Sequence, residues 1–530
     1  MNVHRTTAAG GVAAARPNPG AAVAAHPNGG AAAGAHPNAA GAAAAALPHA
    51  AGEEDAADRT TAPVPPAAVA AGALGAAAAR WWPLLPVLAT VLLLAAPVDG
   101  GGAGGPARVT PADAASGALV LCALVRVLRH GPRPLAPAAA FVFGAPAVAC
   151  AIATVTSADP ALSLTGFVRY LQVFVLVPLA VVLMIRDAWG FRVVTGCLAV
   201  LALVQGAVGV HQFATGTGAS YMGEDIRAVG TFGPTDVMGM ATVVAYGLLA
   251  AAALALRTPR GAPTWLRPAA LAAAVGLVVP LALSFSRGAW IATVTAGAVM
   301  LLLAGRRQAM RTLAVLVPVS VVLVAGFGVG SQVISQRLSS ITQVTDTPDR
   351  SVNDRYTMWA AATSMWREQP VTGVGLKGFP AHRDAHASIG LSSGSDTAGA
   401  GRAFEKQPLL SPHNMYLLVL SEQGLIGVTA FVGSWAAVLV GGVRRLLPGR
   451  GRAAAAADCG LVAVALALWQ TVDFLYADIG GPSTVLTGIV FGLAAWWALA
   501  GPGHTVSAAP TGQPALVPSA PAAPEARAAG

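Results

Sequence analysis

"PAALAAAVGLVVPLALSFSRGAWIATVTAGAVMLLLAG", residues 268–305, contains one charged side chain in 38 positions, Arg287. An α-helix rises ~1.5 Å per residue, so residues 269–304 would make ~54 Å of helix. A bilayer's hydrocarbon core is only ~30 Å thick. One crossing cannot use that length, whereas two crossings joined at "SFSRG" (284–288) can. The stretch therefore predicts an all-α integral membrane protein. It pairs a helix over 269–285 with another over 289–304 and puts Arg287 at the turn between them.

The rest of the chain agrees. Of 530 residues, 55% are hydrophobic and 10% charged, with a mean hydropathy of +0.64. Soluble domains carry about 25% charged residues. The net charge of +9 is not a nucleic-acid signature, because the cations lie in short loops between apolar runs. There they set membrane orientation. Twelve runs are long enough to span: 81–98, 112–128, 135–157, 166–185, 193–213, 237–256, 269–285, 289–304, 312–330, 424–443, 453–476 and 483–500. With the N-terminus inside, the inner loops 126–134, 186–192, 257–268, 305–311 and 444–452 carry fifteen Arg. The short outer segments 99–113, 158–165, 214–236, 284–288 and 477–482 carry three. This asymmetry predicts both termini in the cytoplasm. It leaves Arg227 and Arg287 as outer cations flanking the central spans.

Residues 80–500 form the expected membrane domain. Residues 1–79 are an Ala/Gly/Pro-rich tail with a ten-residue repeat at Arg16, His26 and His36, and residues 501–530 are similar. Neither can bury a core, so both read as disordered cytoplasmic tails. Cys122, Cys150, Cys197 and Cys459 have no metal-ligand spacing and read as small hydrophobes. The segment 331–412 is a long extracytoplasmic loop. Within it "DRYTMWAAATSMWREQP", ending at Pro370, reads as a helix, with Met358, Ala361, Ala362 and Met365 at helical spacing. "VTGVGLKGF" (371–379) reads as a Gly-rich turn and lacks the strand and Lys-Ser/Thr of a nucleotide loop. Residues 387–403, rich in Ser, Gly and Ala, read as mobile. "HNMYLLVLSEQG" (413–424) reads as a short apolar helix at the outer surface.

Three residues stand out chemically. Arg287 is either a snorkelling interfacial cation or part of an anion site, since Arg pairs bidentately with phosphate. Arg227 is either neutralised by Glu224 and Asp225 or joins Arg287 around one diphosphate. His413 opens the surface helix, and a neutral imidazole there suits a general base. Glu422 lies about 180° round a continuous helix from His413 and is a poor partner for it. Arg169 and Asp473, inside spans, read as candidates to line a cavity. His211, His382 and His386 read as structural.

Four stretches in order resemble the O-antigen ligase/polymerase family of membrane glycan transferases. They are "RAVGTFGP" (227–234), "SFSRGAWIA" (284–292), the loop run from Arg355 to Phe379, and "HNMYLLVLSEQGLIG" (413–427). The similarity spans roughly residues 160–500. It implies transfer of a glycan from an undecaprenyl-diphosphate carrier to an acceptor hydroxyl at the outer face of the cytoplasmic membrane. It further implies Arg227 and Arg287 as the diphosphate-binding residues, His413 as the catalytic residue, and no metal, nucleotide or other cofactor. The implied partners are the lipid-linked donor, a glycan or glycolipid acceptor and the bilayer. Thr235 and Asp236 depart from the family's usual pattern, and the stretch from Pro380 to Pro412 is longer than usual. The competing class is a secondary transporter or channel for an anionic solute.

Overall fold

A computed structural model of the protein describes residues 78–96, 109–131, 135–221, 224–233, 236, 238–307, 309–311, 314, 350–387, 395–399, 405–407, 410–447, 455–481 and 483–500. Of the expected tails, 1–79 and 501–530, only residues 78 and 79 are described, where α-helix has already begun; of the expected span 312–330, only residue 314 is described.

The described chain is mostly helical. In order come α1 (Ala78–Ala95), α2 (Pro111–His130), α3 (Ala138–Val155), α4 (Pro160–Met184), α5 (Ala188–Thr215), strands β1 (Ala219–Tyr221) and β2 (Glu224–Arg227), α6 (Gly239–Leu256), α7 (Leu266–Leu283) and α8 (Arg287–Ala304). Then follow α9 (Arg350–Glu368), α10 (Phe379–His386), β3 (Ser395–Gly399), β4 (Glu405–Gln407), α11 (Met415–Leu446), α12 (Ala457–Asp473) and α13 (Thr484–Ala500). Among the described residues, nine of these helices are long and apolar enough to cross a membrane: α1 to α8 and α11. The 17-residue helices α12 and α13 occupy the two last expected spans.

Polar residues mark the helix starts. Thr110 and Asp113 form a reciprocal capping box at α2. Asp159, Asp187, Ser286 and Asn414 each accept a backbone N–H at the starts of α4, α5, α8 and α11. Such caps satisfy N–H groups that have no partner within the helix. Side chains such as Val155, Leu128 and Val294, 79%, 75% and 72% exposed, face outward where lipid would lie. Helices α12 and α13 are buried along nearly their whole length and form the centre. Their indoles are satisfied within the protein. Trp496 donates to the Ile185 carbonyl (2.9 Å), Trp497 to that of Gly442 (3.1 Å) and Trp469 to the Thr293 hydroxyl (2.9 Å). Gly488 and Gly492, four apart, let α13 lie directly on α4. A Cβ on Gly488 would sit 2.7 Å from the Val173 oxygen, and one on Gly492 2.7 Å from Val181 Cβ.

The sequence-based picture needs two corrections. First, a small antiparallel sheet, ordered β2-β1-β3-β4, joins the loop after α5 to the long loop. Its β3 runs through the segment expected to be mobile. Its strands are three to five residues long and β1 and β3 pair residues 176 to 180 positions apart, so no local pattern announces them. Second, Arg169, read as a candidate to line a cavity, is held by neighbouring side chains. It pairs with Asp113 of α2 at 2.5 Å and donates to Gln172 at 3.1 Å, while Gln172 donates to Ser116 at 2.7 Å. These bonds make a polar rung between α2 and α4. The helix expected before Gly424 is the first part of α11, and the expected turn lies at 284–286, between α7 and α8.

Candidate active site

Arg287 stands at the hairpin, as the length of the apolar run requires. After α7, Phe285 adopts φ +51°, in the left-handed region that turns the chain. Ser286 caps α8 by accepting the Ala289 N–H at 3.2 Å, and the Trp290 indole donates to the Leu281 carbonyl at 2.8 Å. Arg287 is thus the first residue of α8. Its charge adds to the positive end of the helix dipole, a combination suited to an anion.

Arg227 ends β2. The next residue, Ala228, donates its N–H to the carbonyl of Leu283, the last residue of α7 (3.1 Å). This bond ties the strand carrying Arg227 to the hairpin carrying Arg287. Two glutamines of α5 hold the loop that follows. Gln212 accepts the N–H groups of Val229 (3.1 Å) and Gly230 (2.9 Å), and Gln205 accepts that of Thr231 (2.9 Å).

His413 also adopts a left-handed backbone, φ +48°, uncommon for a non-glycine residue. Neighbouring bonds hold it there. Pro412 accepts from the Trp359 indole (2.9 Å), and Asn414 accepts from Leu417 N–H (3.0 Å) and donates to the Leu475 carbonyl (3.1 Å). The Met415 N–H donates to the carbonyls of Phe474 (2.8 Å) and Ala477 (3.1 Å). The connection between α12 and α13 is therefore a common support. Gly288 packs against it as well, where an added Cβ would meet Tyr476 Cβ at 3.0 Å. The buried Asp236, nine residues after Arg227, accepts the Ser483 N–H at 2.9 Å. The three residues singled out in the sequence thus belong to segments joined at one end of the bundle.

Two charges escaped the sequence reading. Arg355 of α9 and Asp478 of the α12–α13 connection both act on His413. Burial pushes its imidazole below the ordinary value, Asp478 pulls it up, and Arg355 pushes it further down. The net direction is down, which favours the neutral ring. Asp478 Oδ2 is buried and makes no hydrogen bond among the described residues. Arg355 was detectable in principle. It lies three, seven and ten residues before Met358, Ala362 and Met365, on the same face as this buried apolar stripe. Asp478 carries no comparable signal. The charges of Asp478, Arg355 and Asp236 also reach the buried Asp473 at the end of α12, so Asp473 borders this cluster. Burial raises the Asp236 carboxyl, against the lowering effect of its bonds to Ser483.

The Gly-rich turn 371–379 locks the long loop to the membrane helix. Helix α11 breaks at Gly424 (φ 63°, ψ −159°). On one side of the break the carbonyls of Ser421 and Glu422 accept the N–H groups of Val374 (2.9 Å) and Gly375 (3.0 Å). On the other, Leu425 and Ile426 donate to the carbonyls of Pro370 (2.9 Å) and Val371 (3.3 Å). The buried Glu422 side chain accepts the Phe379 N–H at 3.3 Å. It serves this turn and not His413, as its helical position implied.

The remaining candidates have local roles. His211 is exposed on α5. His382 bonds the Gly378 carbonyl (2.9 Å), and His386 bonds Ser364 (3.0 Å) and lies 3.6 Å from Glu368. The four cysteines are unpaired, with Cys150 and Cys459 buried and Cys122 exposed. Among the described residues no cluster of three or more His, Cys, Asp or Glu could hold a metal ion.

No curated protein matches the chain. A family model described as O-antigen ligase matches residues 269–432, from α7 past the Gly424 break. The matched segment contains Arg287, Arg355 and His413; Arg227 precedes it. Over these residues the chain matches the O-antigen ligase family, the one its motifs resemble.

Proposed function

We propose that this multi-pass membrane protein transfers a glycan from an undecaprenyl-diphosphate carrier to an acceptor hydroxyl on the extracytoplasmic face of the cytoplasmic membrane, as a ligase or polymerase. The reading includes twelve spans, cytoplasmic termini and disordered tails. One observation carries it: segments bearing Arg227, Arg287 and His413 are hydrogen-bonded or packed together around the α12–α13 connection.

The chemistry follows from the groups available. The acceptor oxygen attacks the anomeric carbon and forms the new glycosidic bond. The bond from that carbon to the diphosphate oxygen breaks, and its electron pair leaves with the diphosphate. A single displacement inverts the anomeric centre. Arg227 and Arg287 hold the diphosphate and stabilise the charge it gains, as fixed donors do best in a site shielded from water. His413 takes the acceptor proton, and its lowered basicity keeps it neutral and ready at neutral pH. Asp478 steadies the imidazolium once formed, and Arg355 balances the carboxylate. The donor reaches these cations sideways from the bilayer, which suits their place at a hairpin.

The test is reconstitution with undecaprenyl-diphosphate-linked oligosaccharide. Release of lipid diphosphate that needs both acceptor and His413 supports the proposal. No release with any acceptor, together with anionic solute flux that depends on Arg287, would favour the transporter.

A further inference from the structure

A second feature lies at the opposite end of the bundle. A cavity of about 270 Å³ opens between the starts of α5, α7 and α12 and the end of α6. The other ends of these helices lead to the sheet, the Arg287 hairpin and the α12–α13 connection, so the cavity lies away from His413. Its wall is almost entirely apolar, with Val200, Ala250, Ala273 and Val462 among its residues. Val200 is 54% exposed, so the cavity opens sideways, where lipid would lie. Along α5 it reaches from Phe191 to Val200, about 14 Å of helix. That is about half of a ~30 Å hydrocarbon core, the depth of one leaflet.

The polar end of the cavity holds an Arg–Asp pair, and two further arginines lie in the adjoining chain. Arg192 and Asp458 line the cavity and pair bidentately, at 2.6 and 2.8 Å. The pair uses Nε and one terminal nitrogen of Arg192. Nη1 has no protein partner among the described residues, and the side chain is 30% exposed. Arg260 and Arg267, in and beside the α6–α7 loop, are exposed; Arg267 directly follows the lining residue Leu266. A water-soluble metabolite would need several converging polar groups, and drug-sized ligands fill roughly 300–1,000 Å³. Neither condition is met here. An apolar groove one leaflet deep under a basic rim matches a lipid with a negative headgroup.

We infer that this groove is a binding site for an anionic phospholipid, with one acyl chain between α5 and α7 and the phosphate among Arg192, Arg260 and Arg267. The inference does not depend on glycan transfer, because none of these residues borders the His413 site.

The test is native mass spectrometry on the full-length protein in detergent. The protein is titrated with phosphatidylglycerol or phosphatidylcholine of the same chain length, with inorganic phosphate as competitor. Phosphatidylglycerol should bind at least about tenfold more tightly, the scale set by two or more surface cations. The double variant Arg260→Gln/Arg267→Gln should lose that preference. Ala273→Phe, which fills the groove from a half-buried position, should lose the bound lipid, with an unchanged melting temperature confirming its fold. Equal binding of the two lipids, retention of lipid by a folded Ala273→Phe protein, or displacement by inorganic phosphate would each overturn the inference.

Discussion

Gly424→Ala probes the joint between the long loop and the membrane helix. At φ 63°, ψ −159° the residue occupies a region open essentially to glycine alone, and alanine there costs about 1–3 kcal/mol. The added Cβ would also lie 2.3 Å from both the carbonyl carbon and the oxygen of Val371, so the turn must retreat. Retreat breaks one or both bonds from Leu425 and Ile426 to Pro370 and Val371, at about 1–3 kcal/mol for each donor left unsatisfied. One broken bond gives a total of about 2–6 kcal/mol. The turn leads back through α9 to Trp359, whose indole holds Pro412 beside His413, so turnover should fall with stability. Thermal unfolding in detergent and single-turnover glycan transfer measure the two effects. Gly441→Ala, in the same helix with its nearest neighbour at an ordinary 3.5 Å, is the control. It should be neutral or slightly stabilising, since glycine inside a helix costs about 0.5–1 kcal/mol relative to alanine. If Gly424→Ala melts and reacts like Gly441→Ala, the lock has no energetic role.

The rate should fall as pH drops through a value below the ordinary histidine pKa of about 6.5, because the base must be neutral and burial lowers His413. Asp478→Asn removes a charge that raises the His413 value and should move this acid limb to lower pH; Arg355→Gln should move it higher. Shifts in the same direction in kcat/KM profiles would contradict the assignment. Arg287→Lys should lower transfer roughly tenfold to a hundredfold, the loss of about 1.5–3 kcal/mol for one charged hydrogen bond. Full activity would argue against a bidentate diphosphate site. Arg169→Met should lower the melting temperature by leaving Asp113 without its cationic partner on α4, measured by thermal unfolding in detergent.

The helices were legible because lipid demands long apolar runs, and the turn at Arg287 followed from length alone. His413 and the break at Gly424 were visible as a polar start and a glycine bounding an apolar segment. What the sequence hid depends on tertiary contact. Arg169 looked like a functional charge because its partner, Asp113, lies 56 residues away. The sheet was hidden because its short strands come from two separate loops. The strand of Arg227 is linked to the hairpin by the backbone bond from Ala228 to Leu283, which no side-chain pattern encodes. Asp478 has no periodicity around it and enters the site only because α12 ends where α11 begins.

The most direct test of the central claim is release of undecaprenyl diphosphate by the purified protein, given a lipid-linked oligosaccharide with and without acceptor. The account predicts acceptor-dependent release, with an inverted glycosidic linkage in the product, that is lost in His413→Ala and in Arg287→Ala while both variants remain folded. Undiminished release by folded His413→Ala would contradict it.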